Sequence, residues 1–436
     1  MSNIINSGAK RRGGWRRLLR ACPAVLGLIS CFLFIENAAR SGGSRLFSFT
    51  AIIQSRLDAA DLAVRLAPSD PEAHYTRGLT LVNLKRLTEA IAELQEATRL
   101  RPCHYYEWLD LGVTLDRLGD QSGAVAALGE SVRLAPSFAQ PHWQLGNLLY
   151  RQGRFEEAFA ELRLGARSNA NLLVGMLDLA WAAANADAGT MERLIQPQTR
   201  RSHFEFARYL ATQGKGPEAA RQVREVGEPQ DDGERALLHQ TISALLTAEQ
   251  FSDAYSAWAA THALTFKDAE RGPGQLLNGN FVEPIMQDDP GFAWQLLLVP
   301  NVSASIDPAG PSPDTRSICL QFTGDNPLRS QLLYQLILVE PNSRYSLSFV
   351  ARAENLVSGG PPVILALDAS GKATRILSQS EPLSAGTNGW TTYKVDFAAD
   401  QNTSAVVIAL RRLACEQSPC PIFGKLWLSG FSLAKT

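Results

Sequence analysis

Gly78, Gly112 and Gly146 stand 34 residues apart, and Ala90, Ala124 and Ala158, then Leu94, Leu128 and Leu162, keep the same interval. Pro102 and Pro136 close the first two units, so the stretch from Pro71 to about Ala170 repeats itself. A fixed period of this length with small residues at two set points is the mark of a helix-turn-helix repeat. Gly and Ala belong where two antiparallel helices cross closely, and the proline ends the second helix before the next unit begins. Such an array is nearly one-dimensional, each unit burying its apolar face on its neighbours, with atypical units at the ends.

The repeat resembles the tetratricopeptide repeat, and Trp108, Leu111, Gly112, Ala124, Leu128 and Pro136 give the best single match. Leu57 to Pro68 has the pattern of a second helix in the same frame, which starts the solenoid near Phe47. Beyond Ala170 the signal weakens, and the half-unit Met191 to Pro197 is degenerate. Two further hairpins follow around Ala219 and Ala254, giving about six helical pairs up to His262. The resemblance implies a groove lined by the first helix of each pair, here Tyr75, Asn83, Tyr106, Arg117, Trp143, Asn147, Tyr150 and Arg151. Rings beside amides and guanidinium groups suit an extended peptide or a glycan, and the same rings also suit packing between repeats. The lysine pattern with which similar repeats clamp a C-terminal carboxylate is absent.

Ahead of the repeats, Lys10, Arg11, Arg12, Arg16, Arg17 and Arg20 precede any acidic residue and lead into the apolar run Ala21 to Ile35. A basic segment followed by an apolar one is an export signal, with the basic end cytoplasmic. The run is shorter than the roughly 20 residues of a comfortable span, although Trp15 and Arg20 would lengthen it by snorkelling. An uncleaved anchor is favoured, while a cleaved signal and a lipid-modified Cys31 stay open. The expectation is a single-pass bacterial inner-membrane protein with the bulk of its chain periplasmic or extracellular. Cys415 and Cys420, with four residues between them in a loop-like stretch, are placed to form a disulfide in such a compartment.

Past His262 the texture changes. Arg271-Gly-Pro-Gly274 reads as a linker, after which Ile318/Leu320/Phe322, Tyr345/Leu347/Phe349/Ala351, Tyr393/Val395/Phe397 and Val406/Ile408/Leu410 alternate with polar residues. Many strands with one apolar face and no helices between them predict a two-sheet sandwich. Asn278-Gly-Asn-Phe281, Phe292-Ala-Trp294, Pro341 to Phe349, Gly389-Trp390 and Gly424 to Leu433 follow the order of galactose-binding-like jelly-roll modules. These are similar to carbohydrate-binding modules of glycan-active enzymes, which would make Trp294 and Trp390 glycan contacts, although Trp294, Trp390 and Trp427 each lie in or beside a strand and core packing is the commoner role of tryptophan.

The chain therefore reads as multidomain: basic N-terminus and transmembrane anchor over 1–40, all-α solenoid over 41–265, linker over 266–276 and all-β jelly-roll sandwich over 277–436. The net charge of −1 gives no reason to expect nucleic acid. No nucleophile elbow, phosphate loop, dinucleotide fingerprint or metal-spaced histidine set is present, and the adjacent Asp288 and Asp289 alone do not make a calcium site. No cofactor or metal is expected, and no stretch remains for a catalytic domain. The function expected is a scaffold whose solenoid holds an envelope protein partner and whose sandwich contacts polysaccharide, in envelope or exopolysaccharide assembly or export. A purely protein-binding adaptor is the first alternative and an exported glycan hydrolase the second.

Overall fold

The structure, a computed structural model, describes residues 13–262, 274–285, 289–297, 299–371, 375–415 and 419–436, and of residues 13–26 and 28 only the backbone. Helices come first: α1 (Gly13–Gln54), α2 (Leu57–Leu66), α3 (Pro71–Asn83), α4 (Leu87–Leu100), α5 (Tyr105–Leu118), α6 (Gln121–Leu134), α7 (Ala139–Arg151) and α8 (Phe155–Ser168). Then α9 (Leu173–Ala183), α10 (Ala188–Ile195), α11 (Arg200–Thr212), α12 (Gly216–Val226), α13 (Asp232–Thr247) and α14 (Phe251–His262) complete the helical part. The chain divides into two compact units, Met1–Ala186 with Arg193–Ile195, and Asp187–Glu192 with Gln196–Thr436. Helices α11 to α14 thus group with the strands and not with the repeats that precede them.

The small residues of the repeat stand where their size is needed. A Cβ on Gly78, Gly112 or Gly146 would lie 2.8, 2.6 or 2.7 Å from the Cγ of Leu94, Leu128 or Leu162 on the partner helix. Ala90, Ala124 and Ala158 are fully buried at the same crossings. The turn after each first helix needs a left-handed residue: Gly119 and Gly153 supply it, and Lys85 takes φ 60° at the equivalent place in the first unit.

One boundary read from the sequence falls inside an element. No break separates residue 40 from 41, because α1 runs uninterrupted from the apolar segment into the helix that packs on α2, where Ala51, Ala59 and Ala60 form a buried cluster with Phe47 and Leu57. Among the described residues no helix is long and apolar enough to cross a membrane. Half of the Ala21 to Ile35 run lies outside the residues whose side chains are described.

The strands are β1 (Gln295–Leu296), β2 (Val302–Asp307), β3 (Ser317–Gly324), β4 (Leu333–Leu338), β5 (Arg344–Ser358), β6 (Pro362–Asp368), β7 (Arg375–Gln379), β8 (Thr391–Ala398), β9 (Ala405–Arg412) and β10 (Ile422–Lys435). They form two antiparallel five-stranded sheets, β1-β4-β9-β6-β7 and β2-β3-β10-β5-β8. The alternating residues expected to point inward do so: Ile318, Leu320, Phe322, Leu347, Phe349, Val395, Phe397, Ile408 and Leu410 share one core with Phe281, Trp294, Leu426 and Leu428. Buried Gln335 on β4 ties the incoming segment to this core. Its Nε2 donates to Leu277 O at 3.1 Å, and its Oε1 accepts from Leu277 N at 3.0 Å.

In the second unit α14 is fastened to the segment that leads into β1. Trp258, fully buried, donates its indole N–H to Asp289 Oδ2 at 2.6 Å, stacks on His262 at 4.6 Å and meets Phe292 at 5.8 Å. Asp289 also accepts from Gly291 N. Its carboxylate is thus committed to protein donors, and Asp288 lies outside the described residues. Among the described residues no group of three His, Cys, Asp or Glu side chains could hold a metal ion.

Candidate functional site

The first helices α3, α5 and α7 present equivalent residues at each 34-residue step, and on this face the predicted groove residues divide into two kinds. Asn83, Arg117 and Arg151 occupy one repeat position and are all exposed. Arg151 Nη2 reaches back 2.5 Å to Asp116 Oδ2 on α5. Toward the N-terminal ends of the same helices Tyr75 and Tyr106 meet edge to face at 5.2 Å, and the Tyr75 hydroxyl donates to Asp110 Oδ2 at 2.6 Å. Burial pushes the Tyr75 phenol upward, and it also raises Asp110 despite the bond it accepts. Arg101 extends the set, bonding Tyr106 Oη at 2.9 Å and Glu72 at 3.0 Å.

The other predicted residues are more deeply engaged in the fold than a free anchor would be. Trp143 is half-buried and lies against α9, where a Cβ on Gly175 would come within 3.2 Å of its ring. Tyr150 packs on Phe155 and Phe159 at 5.3 and 6.3 Å. Asn147 turns its amide N–H back to Trp143 O at 2.8 Å. Asp110, which the sequence reading passed over, was detectable as the residue one repeat and one position beyond Tyr75.

Two histidines and a tryptophan have a common structural task. His74 Nε2 lies 3.0 Å from Pro68 O and His142 Nε2 lies 2.9 Å from Pro136 O, while Trp108 donates its indole N–H to Pro102 O at 2.9 Å. One ring per unit thus satisfies the carbonyl of the proline that ends the preceding pair. Glu93 and Glu161 hold the other nitrogens of His74 and His142 at 2.7 and 2.6 Å, and His203 meets Gln222 with the same 19-residue separation. The in-phase spacing of His74, Trp108 and His142 was the signal.

The hydrogen bond to Glu93 raises His74 above the usual histidine range, burial opposing it. Burial also lifts Glu107 to about 7 against the pull of Arg101. Both groups bind protons more tightly folded than unfolded, so their stabilising contribution is complete at acid pH and disappears as pH rises through the folded values. The melting temperature of the repeats is therefore expected to fall as pH rises from 4.5 to about 7, the interval over which Glu107 differs between the unfolded and folded chain, with His74 adding to the fall above 6.5. A His74→Gln, Glu107→Gln double variant should flatten that slope in calorimetry at several pH values, and an unchanged slope would contradict the assignment.

On the sandwich, Trp294 is 2% exposed, packed on Phe281 at 5.6 Å and Phe431 at 4.8 Å. This corrects its reading as a glycan contact, since no face of its ring reaches solvent. Trp390 is half-buried on the outer side of the β2-β3-β10-β5-β8 sheet, with the Arg352 guanidinium 5.5 Å from its ring centre. Arg352 lies over Trp427 as well, at 4.2 Å, and Trp427 donates its indole N–H to Asp307 Oδ2 at 2.8 Å. Lys425 and Glu354 pair beside them at 3.6 Å. Cys415 and Cys420 are joined by a disulfide, and buried Arg412 donates to Cys420 O at 2.6 Å and to Asn326 Oδ1 at 3.1 Å.

Residues 57–102 and 109–171 match the tetratricopeptide repeat family model. No curated protein matches the chain. Among solved structures, MamA from Desulfovibrio magneticus RS-1 is 18% identical, covering 36% of this chain and 94% of its own, with a TM-score of 0.32. PilF of Pseudomonas aeruginosa is 16% identical over 44% of this chain and 91% of its own, TM-score 0.33. A CBM4 structure is 13% identical over 37% of this chain and all of its own, TM-score 0.28. Scores this low carry no argument about shared fold or function, so the repeat assignment rests on the family match and on the helix crossings described above. Residues 57–102 and 109–171 of this chain are tetratricopeptide repeats, and an all-β sandwich follows them in the sequence.

Proposed function

We infer that this chain is a membrane-anchored extracytoplasmic scaffold of the bacterial envelope, whose repeats hold an extended segment of a protein partner and whose sandwich contacts glycan during polysaccharide assembly or export. The observation that carries the protein-binding part is the exposed column Asn83, Arg117 and Arg151, on helices that also bear the Tyr75–Tyr106 ring pair two to three turns away. Repeated amide and guanidinium groups at one helical position recognise main-chain carbonyls and carboxylates, and the rings offer rigid apolar contact. The basic N-terminal cluster and the apolar run after it support the anchor and the export.

For the glycan part the support is the half-buried Trp390 indole with the Arg352 guanidinium against it, next to Trp427 and the Lys425–Glu354 pair. A second reading, an adaptor in which the sandwich makes protein contacts only, is favoured by the Arg352 guanidinium that already lies over the Trp390 ring. Glycan-array binding by the full chain in detergent separates the two. Retention on at least one polysaccharide, lost in Trp390→Ala, supports the scaffold with a glycan contact, and no retention on any polysaccharide leaves the adaptor.

A further inference from the structure

α1 carries two faces, and the solenoid uses only one of them. Ser44, Ser48 and Ala51 are buried and Phe47 is partly so, with Ser44 Oγ donating to Ala63 O at 3.0 Å, which fixes this side against α2. The side turned away reads Phe32, Ile35, Ala39, Gly42, Leu46, Phe49, Ile53. Successive members are four or three residues apart in strict alternation, and every one is exposed, the five large side chains by 64–69%. A spacing of 3.5 residues kept over three heptads is the seam of a coiled coil. Leu33 and Phe34, exposed as well, lie off the seam and inside the apolar run, whereas Leu46, Phe49 and Ile53 lie beyond that run.

We propose that this seam pairs α1 with α1 of a second copy of the chain, in parallel and in register. The charges permit it. The residues flanking the seam are Cys31, Glu36, Ala38, Gly43, Arg45, Thr50 and Ile52. Glu36 pairs with Arg40 of its own helix at 2.6 Å. In a parallel pair no flanking charge faces a like charge across the seam. Ala39 and Gly42 at its middle let the two backbones approach closely. The five large side chains would bury about 600 Å² per copy and about 1,200 Å² in all, the lower end of what a stable interface requires. The pairing also closes the open first end of the solenoid, where arrays of this kind need a cap and where this one exposes Leu46, Phe49 and Ile53.

The test uses the full chain in mild detergent. Light scattering is expected to give twice the chain mass, and the double variant Leu46→Glu, Phe49→Glu should return the mass of one chain with the helix content of the wild type, since both residues are exposed; its melting temperature should fall only by what the lost pairing contributed. In a Cys22→Ser, Cys31→Ser, Cys103→Ser background, Leu46→Cys should form a cross-linked dimer at least about tenfold faster than Arg40→Cys, which lies off the seam. A wild-type mass of one chain, a dimer that survives the glutamates, or equal cross-linking at the two positions would overturn the proposal. So would a single-chain wild type whose liposome binding alone falls in the glutamate variant, because the face would then serve lipid.

Discussion

Trp258→Ala is expected to destabilise the second unit by about 3–5 kcal/mol, the usual cost of deleting a large buried aromatic side chain. The substitution removes the ring that meets His262 and Phe292 and also leaves Asp289 without its indole donor. A buried carboxylate that loses one of its donors, keeping Gly291 N, adds to the cost of the cavity. Because α14 is fastened through this residue to the segment entering β1, the loss should be felt on both sides of it. Hydrogen exchange read by mass spectrometry should show protection falling together in α13, α14 and the β4 and β9 strands. Loss confined to the helices would show that the sandwich stands without them.

Gly112→Leu is expected to cost about 3 kcal/mol, at the upper end of overpacking, because even the first added carbon would lie 2.6 Å from Leu128 Cγ and 3.0 Å from its backbone nitrogen. Gly112→Ala should cost less and in the same direction. Adding Leu128→Ala to Gly112→Ala should recover part of the loss, since the clash and the cavity occupy the same space and the two changes are not additive. Denaturant titration of the four proteins measures this. A fully additive double variant would mean that the pair does not set the helix crossing.

The parts of the fold legible in the sequence were those with a period. Gly78, Gly112 and Gly146 marked the crossings because sterics at a crossing act on one residue and recur with the unit, and β5 showed itself because Tyr345 to Ala353 alternate between core and solvent. β6 was missed for the opposite reason: all seven of its residues are buried, so it has no alternation to find. The Gln335 bonds to Leu277 and the Trp258 bond to Asp289 join residues 58 and 31 positions apart in no repeating frame, and only the folded chain brings them together.

The candidate site was partly legible. Repeat phase put Asn83, Arg117 and Arg151 at one position, and all three are exposed, while Trp143 and Tyr150 illustrate why a ring at a groove position is ambiguous. Each lies on the right helix, yet Gly175 and Phe159 make room for it within the fold. The Asp110 and Asp116 carboxylates decide what the face can recognise, because each takes up a neighbour from the next or previous repeat. Arg117 makes no described hydrogen bond and is left as the cation most open to a ligand.

The central claim, that this face of the repeats binds an extended protein segment, is tested most directly by titration calorimetry of peptides selected from a random library on the full chain in detergent. The selected peptides are expected to carry a carboxylate beside an apolar side chain. Arg117→Glu should weaken them at least about tenfold, roughly 1.4 kcal/mol, while the melting temperature stays unchanged. Selected peptides that bind Arg117→Glu as tightly as the wild type, or a library from which nothing is selected, would contradict it.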